Sequence, residues 1–200
     1  MSRSSSGLRV IAGKAKGRIL SSVPGEGTRP ITDRAKESLF NILRPDMPGS
    51  VWLDLFAGTG SVGIEALSRD ASFVRFIDLS RSAVETVQSN LALTGFTKDA
   101  EVIKGDAFSL LHRTPDRKFD YVYVAPPQYH DLWKRALLLL DEKPGWMVDD
   151  AWVIAQIHPT EYEELELENL EEFDQRKYGS TLLVFFERVP PEGMPEQPPD

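Results

Sequence analysis

Apolar positions along the chain fall into two alternating patterns. Short apolar runs at Val51–Phe56, Phe73–Ile77, Glu101–Lys104, Tyr121–Val124 and Trp152–Ile157 have the length and the β-branched or aromatic character of buried strands. Between them lie Ser61–Ser68, Ser82–Leu93 with Val84, Val87 and Leu91, Phe108–Leu111 and Leu132–Leu140, which predict helices, the clearest having apolar residues three and four apart. Strands alternating with helices in this way predict a parallel sheet covered on both faces. Two further strand-like runs, Leu165–Lys177 and Thr181–Glu187, meet at Tyr178-Gly179, where a two-residue turn pairs them antiparallel. The expected fold is α/β, a seven-strand sheet with six parallel strands, one antiparallel strand and helices on both faces.

The part before Val51 reads differently. From Leu8, two β-prone runs flank a turn with Gly13, Lys14, Lys16 and Gly17, which predicts an N-terminal basic β-hairpin. Thr32 or Asp33 caps a helix running to about Leu43, with Ala35, Leu39, Ile42 and Leu43 on one face. The chain therefore divides into a disordered Ser-rich N-terminus (1–7), a basic hairpin with a capping helix (8–50), an α/β domain (51–188) and a disordered tail (189–200) that holds five of the fourteen prolines. The acidic run Glu161–Glu168 is expected to be a solvated edge. Trp52, Trp133, Trp146 and Trp152 are expected in packed positions.

With 200 residues, 41% of them apolar, the chain suits one globular domain. No apolar run reaches the roughly 18 residues of a membrane helix, and Met1–Gly7 has no signal-peptide centre. The absence of cysteine leaves neither a disulfide framework nor a thiolate metal site and suits a cytoplasmic protein. His112, His130 and His158 lack metal-ligand spacing, so no metal, no membrane and a monomer are expected. The net charge of -8 argues at first against a nucleic-acid partner. Its distribution argues otherwise, because residues 1–50 carry +5, 51–140 carry -1 and 141–200 carry -12. The basic end is thus a candidate polyanion contact, against the plainer alternative of a solvated cationic surface.

Chemistry gathers at the strand ends. Asp54-Leu55-Phe56-Ala57-Gly58-Thr59-Gly60-Ser61-Val62-Gly63 stands where the first strand turns into a helix, so its glycines let a ligand approach the backbone and the helix start offers free N–H groups. Asp78 follows Gly58 by twenty residues at the end of the second strand, placed to accept from ribose hydroxyls. Alone this reads as a dinucleotide site. Asp54 changes that reading, since its carboxylate repels a pyrophosphate and suits a cationic amino-acid group. Gly105-Asp106-Ala107 and Ala125-Pro126-Pro127 end the next two strands, the edge where open α/β sheets bind ligands.

These segments resemble the class I (Rossmann-like) S-adenosylmethionine-dependent methyltransferases. Arg9-Val10-Ile11-Ala12-Gly13, Gly17-Arg18, Arg29–Leu43, Leu53–Gly60, Gly63–Leu67 and Tyr178-Gly179-Ser180-Thr181 are more specifically similar to the RsmD family, over about residues 8–187. The resemblance implies a bacterial enzyme that transfers a methyl group from S-adenosyl-L-methionine to the exocyclic N2 of a guanine in 16S rRNA, with naked rRNA or the small ribosomal subunit as partner. It implies that Asp54, Phe56, Gly58 and Gly60 line the methionine side of the cofactor, Asp78 holds its ribose, Asp106 and Ala107 its adenine, and that the helix start at Thr32 closes over the methionyl end. Arg9, Lys14, Lys16, Arg18, Arg29 and Arg34 would bind RNA phosphates.

One segment departs from the pattern. The family has Asp-Pro-Pro followed by Phe or Tyr after the fourth strand, an acceptor for the reacting amino group and a ring that stacks on the extruded base. This chain has Ala125-Pro126-Pro127-Gln128-Tyr129, without the acidic acceptor and with the ring displaced by one position. Either the Pro126 carbonyl, Gln128 and Tyr129 serve an altered active enzyme, or the chain is a weak or inactive cofactor- and RNA-binding homologue. A nicotinamide dehydrogenase would rest on the G-x-G-x-x-G spacing alone.

Overall fold

A computed structural model describes residues 8–25, 31–43 and 47–189. Among them a seven-stranded sheet has the order β3-β2-β1-β4-β5-β7-β6. Its strands are β1 Val51–Asp54, β2 Phe73–Asp78, β3 Ala100–Lys104, β4 Phe119–Val124, β5 Met147–Ile157, β6 Leu170–Tyr178 and β7 Thr181–Arg188. β1 to β5 pair in parallel, and β7 runs antiparallel to both β5 and β6, so one strand of seven is reversed, as the sequence predicts. The chain builds outward from β1 to β3 and then returns to place β4 on the other side of β1. That reversal opens a crevice at the carboxyl ends of β1 and β4.

Side chains alternate across the sheet. Trp52, Tyr121, Tyr123, Trp152, Ile154 and Phe185 face α1 Asp33–Ile42, α2 Ser61–Ser68 and α3 Arg81–Thr94, whereas Leu53, Val122, Val124, Val153 and Val184 face α4 Ala107–Leu111 and α5 Leu132–Glu142. Aromatic rings continue the first layer from strand to strand: Trp52 stacks on Phe40 and Tyr121, Tyr121 meets Trp152 edge-on, and Trp152 packs on Phe173. All four tryptophans are buried. Gly63 lets α2 lie close on β2, since a Cβ there would stand 2.4 Å from Phe76 Cε1 and 2.8 Å from Val74 Cγ1.

Residues 8–25 form an arm along α2. The expected β-hairpin is reduced to one antiparallel bridge, Arg9 with Ile19, flanked by bonds from Leu20 N to Leu8 O and Val10 N to Arg18 O. Longer strands do not form because the backbone groups between are taken by α2. Glu65 Oε2 and Oε1 accept from Ile11 N at 2.7 Å and Ala12 N at 3.0 Å, while Ser68 O and Oγ accept from Lys14 N and Ala15 N. Glu65 also accepts from Arg69 Nε at 2.8 Å and lies 3.9 Å from the buried Lys36 ammonium of α1, which donates to Arg9 O. Burial pushes Lys36 below its ordinary pKa, and Glu65 is the strongest opposing influence.

The expected strand Leu165–Lys177 begins only at Leu170, because the N–H groups of Glu168 and Asn169 donate to the Asp141 carboxylate. The acidic run before it has no regular structure after a single turn at Pro159–Glu161. The ends expected to be disordered, 1–7 and 189–200, lie outside the described residues apart from Val189. No helix among the described residues is long and apolar enough to cross a membrane.

Replacing Glu65 by alanine leaves two backbone N–H groups without their acceptor and removes the carboxylate that faces the buried Lys36 ammonium. Glu65→Ala is expected to lower stability by about 3–5 kcal/mol, measured by urea unfolding, with the arm amides of Ile11 and Ala12 losing exchange protection first.

Candidate active site

The four motifs meet along one edge of the sheet, tied by backbone bonds. Leu55 N donates to Tyr123 O, Ala57 N to Ile77 O and Gly105 N to Asp78 O, so the ends of β1, β2, β3 and β4 are adjacent. The glycine loop turns sharply there, with Gly58 at φ 53° and Gly60 at φ 74°. A side chain at Gly60 would press on Val87 and Phe76, so both conformation and space favour glycine.

Asp78 joins loop to strand. Its Oδ2 accepts from Gly58 N and its Oδ1 from Ser80 N, both at 2.8 Å. Each carboxylate oxygen keeps lone-pair capacity for a hydroxyl ligand. Asp106 caps α4 through Oδ2, which accepts from Ser109 N and Oγ, and Ala107 is buried behind it. Phe56 stands edge-on to Phe108, and the Arg135 guanidinium lies 3.9 Å over the Phe108 ring.

Asp54 is the chemically unusual group. It is 2% exposed, and its Oδ1 has no hydrogen-bond partner. Burial, and then the neighbouring Asp78 charge, raise its pKa from 3.8 to about 7, against the opposing N–H groups of Phe56 and Gly63. Burial, and then the Asp54 charge, push the Tyr123 phenol well above its ordinary value. A buried carboxylate with an open oxygen is satisfied by a cation or by a proton.

Beyond β4, Ala125 is partly buried against the core, Pro126 is buried, and Pro127, Gln128 and Tyr129 are exposed. Gln128 makes no hydrogen bond among the described residues. Tyr129 has φ 67° and is 67% exposed, with its ring 5.8 Å from that of His158.

Thr32 caps α1 by accepting from Ala35 N at 3.2 Å. Lys36 meets Glu65, and one turn later Phe40 lies under Arg69. α1 and α2 therefore run side by side in the same direction, which brings Thr32 and the exposed Arg34 to the glycine-loop end. Arg9 is there too, paired with Asp33 at 2.9 Å. Lys14 is paired with Asp70 at 2.6 Å beyond the far end of α2, about 10 Å of helix from the loop. Lys16 and Arg18 are exposed. Arg29 lies outside the described residues.

Three contributors went unrecognised in the sequence. Leu79, directly after Asp78, is 71% exposed at this edge, an apolar surface beside the Asp78 carboxylate. Asn90 is buried on the core face of α3 and donates to Thr59 O at 2.9 Å and Ser21 O at 3.1 Å while accepting from Ser21 N, so it fastens the glycine loop to the arm. Glu161 reaches Tyr129 from the turn after β5. The detectable cue was strongest for Asn90, a polar residue inside the Val87 and Leu91 stripe.

The family model described as Conserved hypothetical protein 95 matches residues 8–187. Ribosomal RNA small subunit methyltransferase D of Haemophilus influenzae is 38% identical over 151 residues, covering 74% of this chain and 78% of its own length. The Escherichia coli K12 protein of the same name is 37% identical over 164 residues, covering 81% and 76%. The solved structure of yhhF from Escherichia coli superposes with a TM-score of 0.81 at 31% identity, covering 91% of this chain and 98% of that one. The chain belongs to the RsmD family of S-adenosylmethionine-dependent class I methyltransferases.

Proposed function

We propose that this protein transfers a methyl group from S-adenosylmethionine to the exocyclic N2 of a guanine in small-subunit rRNA. The observation that carries the reading is the buried Asp54 carboxylate with its open Oδ1 at the crest of the glycine loop, an acceptor suited to the ammonium group of a methionyl moiety. Asp78 accepts from the ribose hydroxyls. Asp106 and the Ala107 backbone bind the adenine, with Leu79 as an apolar surface beside it. Phe56, Gly58 and Gly60 shape the methionyl side, and the Thr32 helix start closes over it. The relatives named above as small-subunit rRNA methyltransferases support the RNA class of substrate.

When bound, S-adenosylmethionine supplies an electrophilic methyl group on a sulfonium. The chain's part is then to bring an amino nitrogen in line and hold it, since positioning supplies much of the acceleration of such a displacement. The Pro126 carbonyl and Gln128 accept from the amino N–H groups, Pro127 stiffens the turn, and Tyr129 stacks on the extruded guanine. Arg9, Lys14, Lys16, Arg18 and Arg34 meet RNA phosphates, and Arg29 is assigned the same role. The partly buried Ala125, which has no side-chain acceptor, favours a second reading, a weak or inactive homologue that retains cofactor and RNA binding.

Incubation with labelled cofactor and small subunits lacking the modification tests the choice. Methyl transfer is expected, with Asp78→Ala abolishing cofactor binding in calorimetry. Cofactor binding without label in any RNA would establish the second reading. Ala125→Asp is expected to raise the rate at least tenfold by restoring an oriented acceptor, the order of effect of one such hydrogen bond. An unchanged rate would make the Pro126 carbonyl and Gln128 sufficient.

The raised Asp54 pKa gives a pH signature. The folded state holds a proton on Asp54 up to about pH 7 while the unfolded chain releases it near 3.8. Stability of the free protein is therefore expected to fall between those values, by roughly 4 kcal/mol in all. Asp54→Asn should flatten that decline. A bound ammonium favours the charged form, so cofactor affinity should rise nearly tenfold per pH unit from 5 to 7, with proton release visible as buffer-dependent heat, and Asp54→Asn should remove both.

A further inference from the structure

The turn after β5 holds groups that the cofactor site does not use. His158 N donates to Glu161 Oε2 at 3.1 Å, and His158 Nδ1 accepts from Thr160 N at 3.3 Å. The other oxygen of the same carboxylate, Glu161 Oε1, accepts from the backbone N–H of Tyr129 at 2.6 Å, across 32 residues of sequence. One side chain thus ties the segment after β4 to the segment after β5.

Tyr129 needs such a tie. Its φ of 67° lies in the left-handed region, which a bulky residue occupies only when its surroundings hold it there. A hydrogen bond to a charged carboxylate is of the strong kind, and no other acceptor for the Tyr129 N–H is present among the described residues. The His158 ring lies 5.8 Å away at 42° and backs the tyrosine, which is otherwise open to solvent. The conformation also answers the displaced ring. With one residue more between the prolines and the aromatic position, an extended backbone would carry the side chain to the opposite side, and a left-handed residue redirects it.

We propose that Glu161 is a positioning residue for base recognition: its carboxylate holds Tyr129 in the left-handed conformation, with His158 behind the ring, so that the tyrosine stands ready to stack on the extruded base. Glu161 touches neither cofactor nor base. The proposal rests on the assignment of Tyr129 as the stacking residue.

The test combines amide exchange with kinetics on the full chain. In Glu161→Ala the Tyr129 amide should exchange at least tenfold faster than in the wild type, while amides of β4 and β5 keep their rates. Glu161→Gln should fall between, because its single amide oxygen serves only one of the two N–H groups. Methyl transfer to small subunits should show kcat reduced about tenfold in Glu161→Ala and partly restored in Glu161→Gln, with cofactor affinity unchanged. In a Tyr129→Gly background, where glycine adopts the left-handed conformation unaided and no ring remains, Glu161→Ala should have no further effect on kcat. Unchanged Tyr129 exchange in Glu161→Ala, or losses that multiply in the double variant, would overturn the proposal. A wild-type protein with the protected amide but no methyl transfer to RNA would instead overturn the assignment of Tyr129, and the base-stacking role with it.

Discussion

The buried carboxylate of Glu65 is the contact that joins the two halves of this molecule. It stands in the middle of α2, the helix that starts from the glycine loop, and it takes hydrogen bonds from the arm at Ile11 and Ala12 and from Arg69 while facing the Lys36 ammonium of α1. A charge so placed is tolerable only when its partners are all present. Arm, capping helix and glycine-loop helix are therefore positioned together. Thr32, Arg34 and Arg9 are at the crevice because Glu65 and Lys36 set the register of α1 against α2.

The crevice itself follows from strand order. Placing β4 beside β1 after the chain has built outward through β3 leaves two neighbouring carboxyl ends whose connections diverge. Asp54 ends β1 and Ala125 directly follows β4, while Asp78 ends β2 and Asp106 lies just beyond β3. The fold concentrates negative charge there, and Asp54 bears the strain, buried beside Asp78 with an open oxygen. A buried carboxylate so placed is satisfied by a cation or by a proton. The left-handed Tyr129 is a second such expense at the same edge, held by Glu161.

Charge sums are read differently once the arm is located. The basic N-terminal segment lies along α2, and its cations divide into two groups. Arg9 and Arg34 are near the glycine-loop end, whereas Lys14 reaches Asp70 beyond the other end of the helix. The basic surface accordingly runs from the crevice along the flank of the domain, away from the acidic residues on β6.

By itself the sequence determined the alternation of strands and helices, the reversed last strand, the glycine loop, and the four strand-end motifs, because these depend on local periodicity and on residue types at short spacing. α2 was delimited residue for residue, and β2 ends at Asp78 as expected. Tertiary structure alone decided the rest. The arm shows only a single bridge because α2 competes for its backbone groups, and β6 starts late because Asp141 captures two N–H groups before it. Glu65, Asn90 and Glu161 look like ordinary polar residues in the chain, since the contacts that distinguish them, Glu65 with Ile11, Asn90 with Thr59 and Ser21, and Glu161 with Tyr129, span 31 to 69 residues of sequence. What such residues do is settled by burial and by the strands and loops that come to lie beside them, and neither is a property of the local sequence.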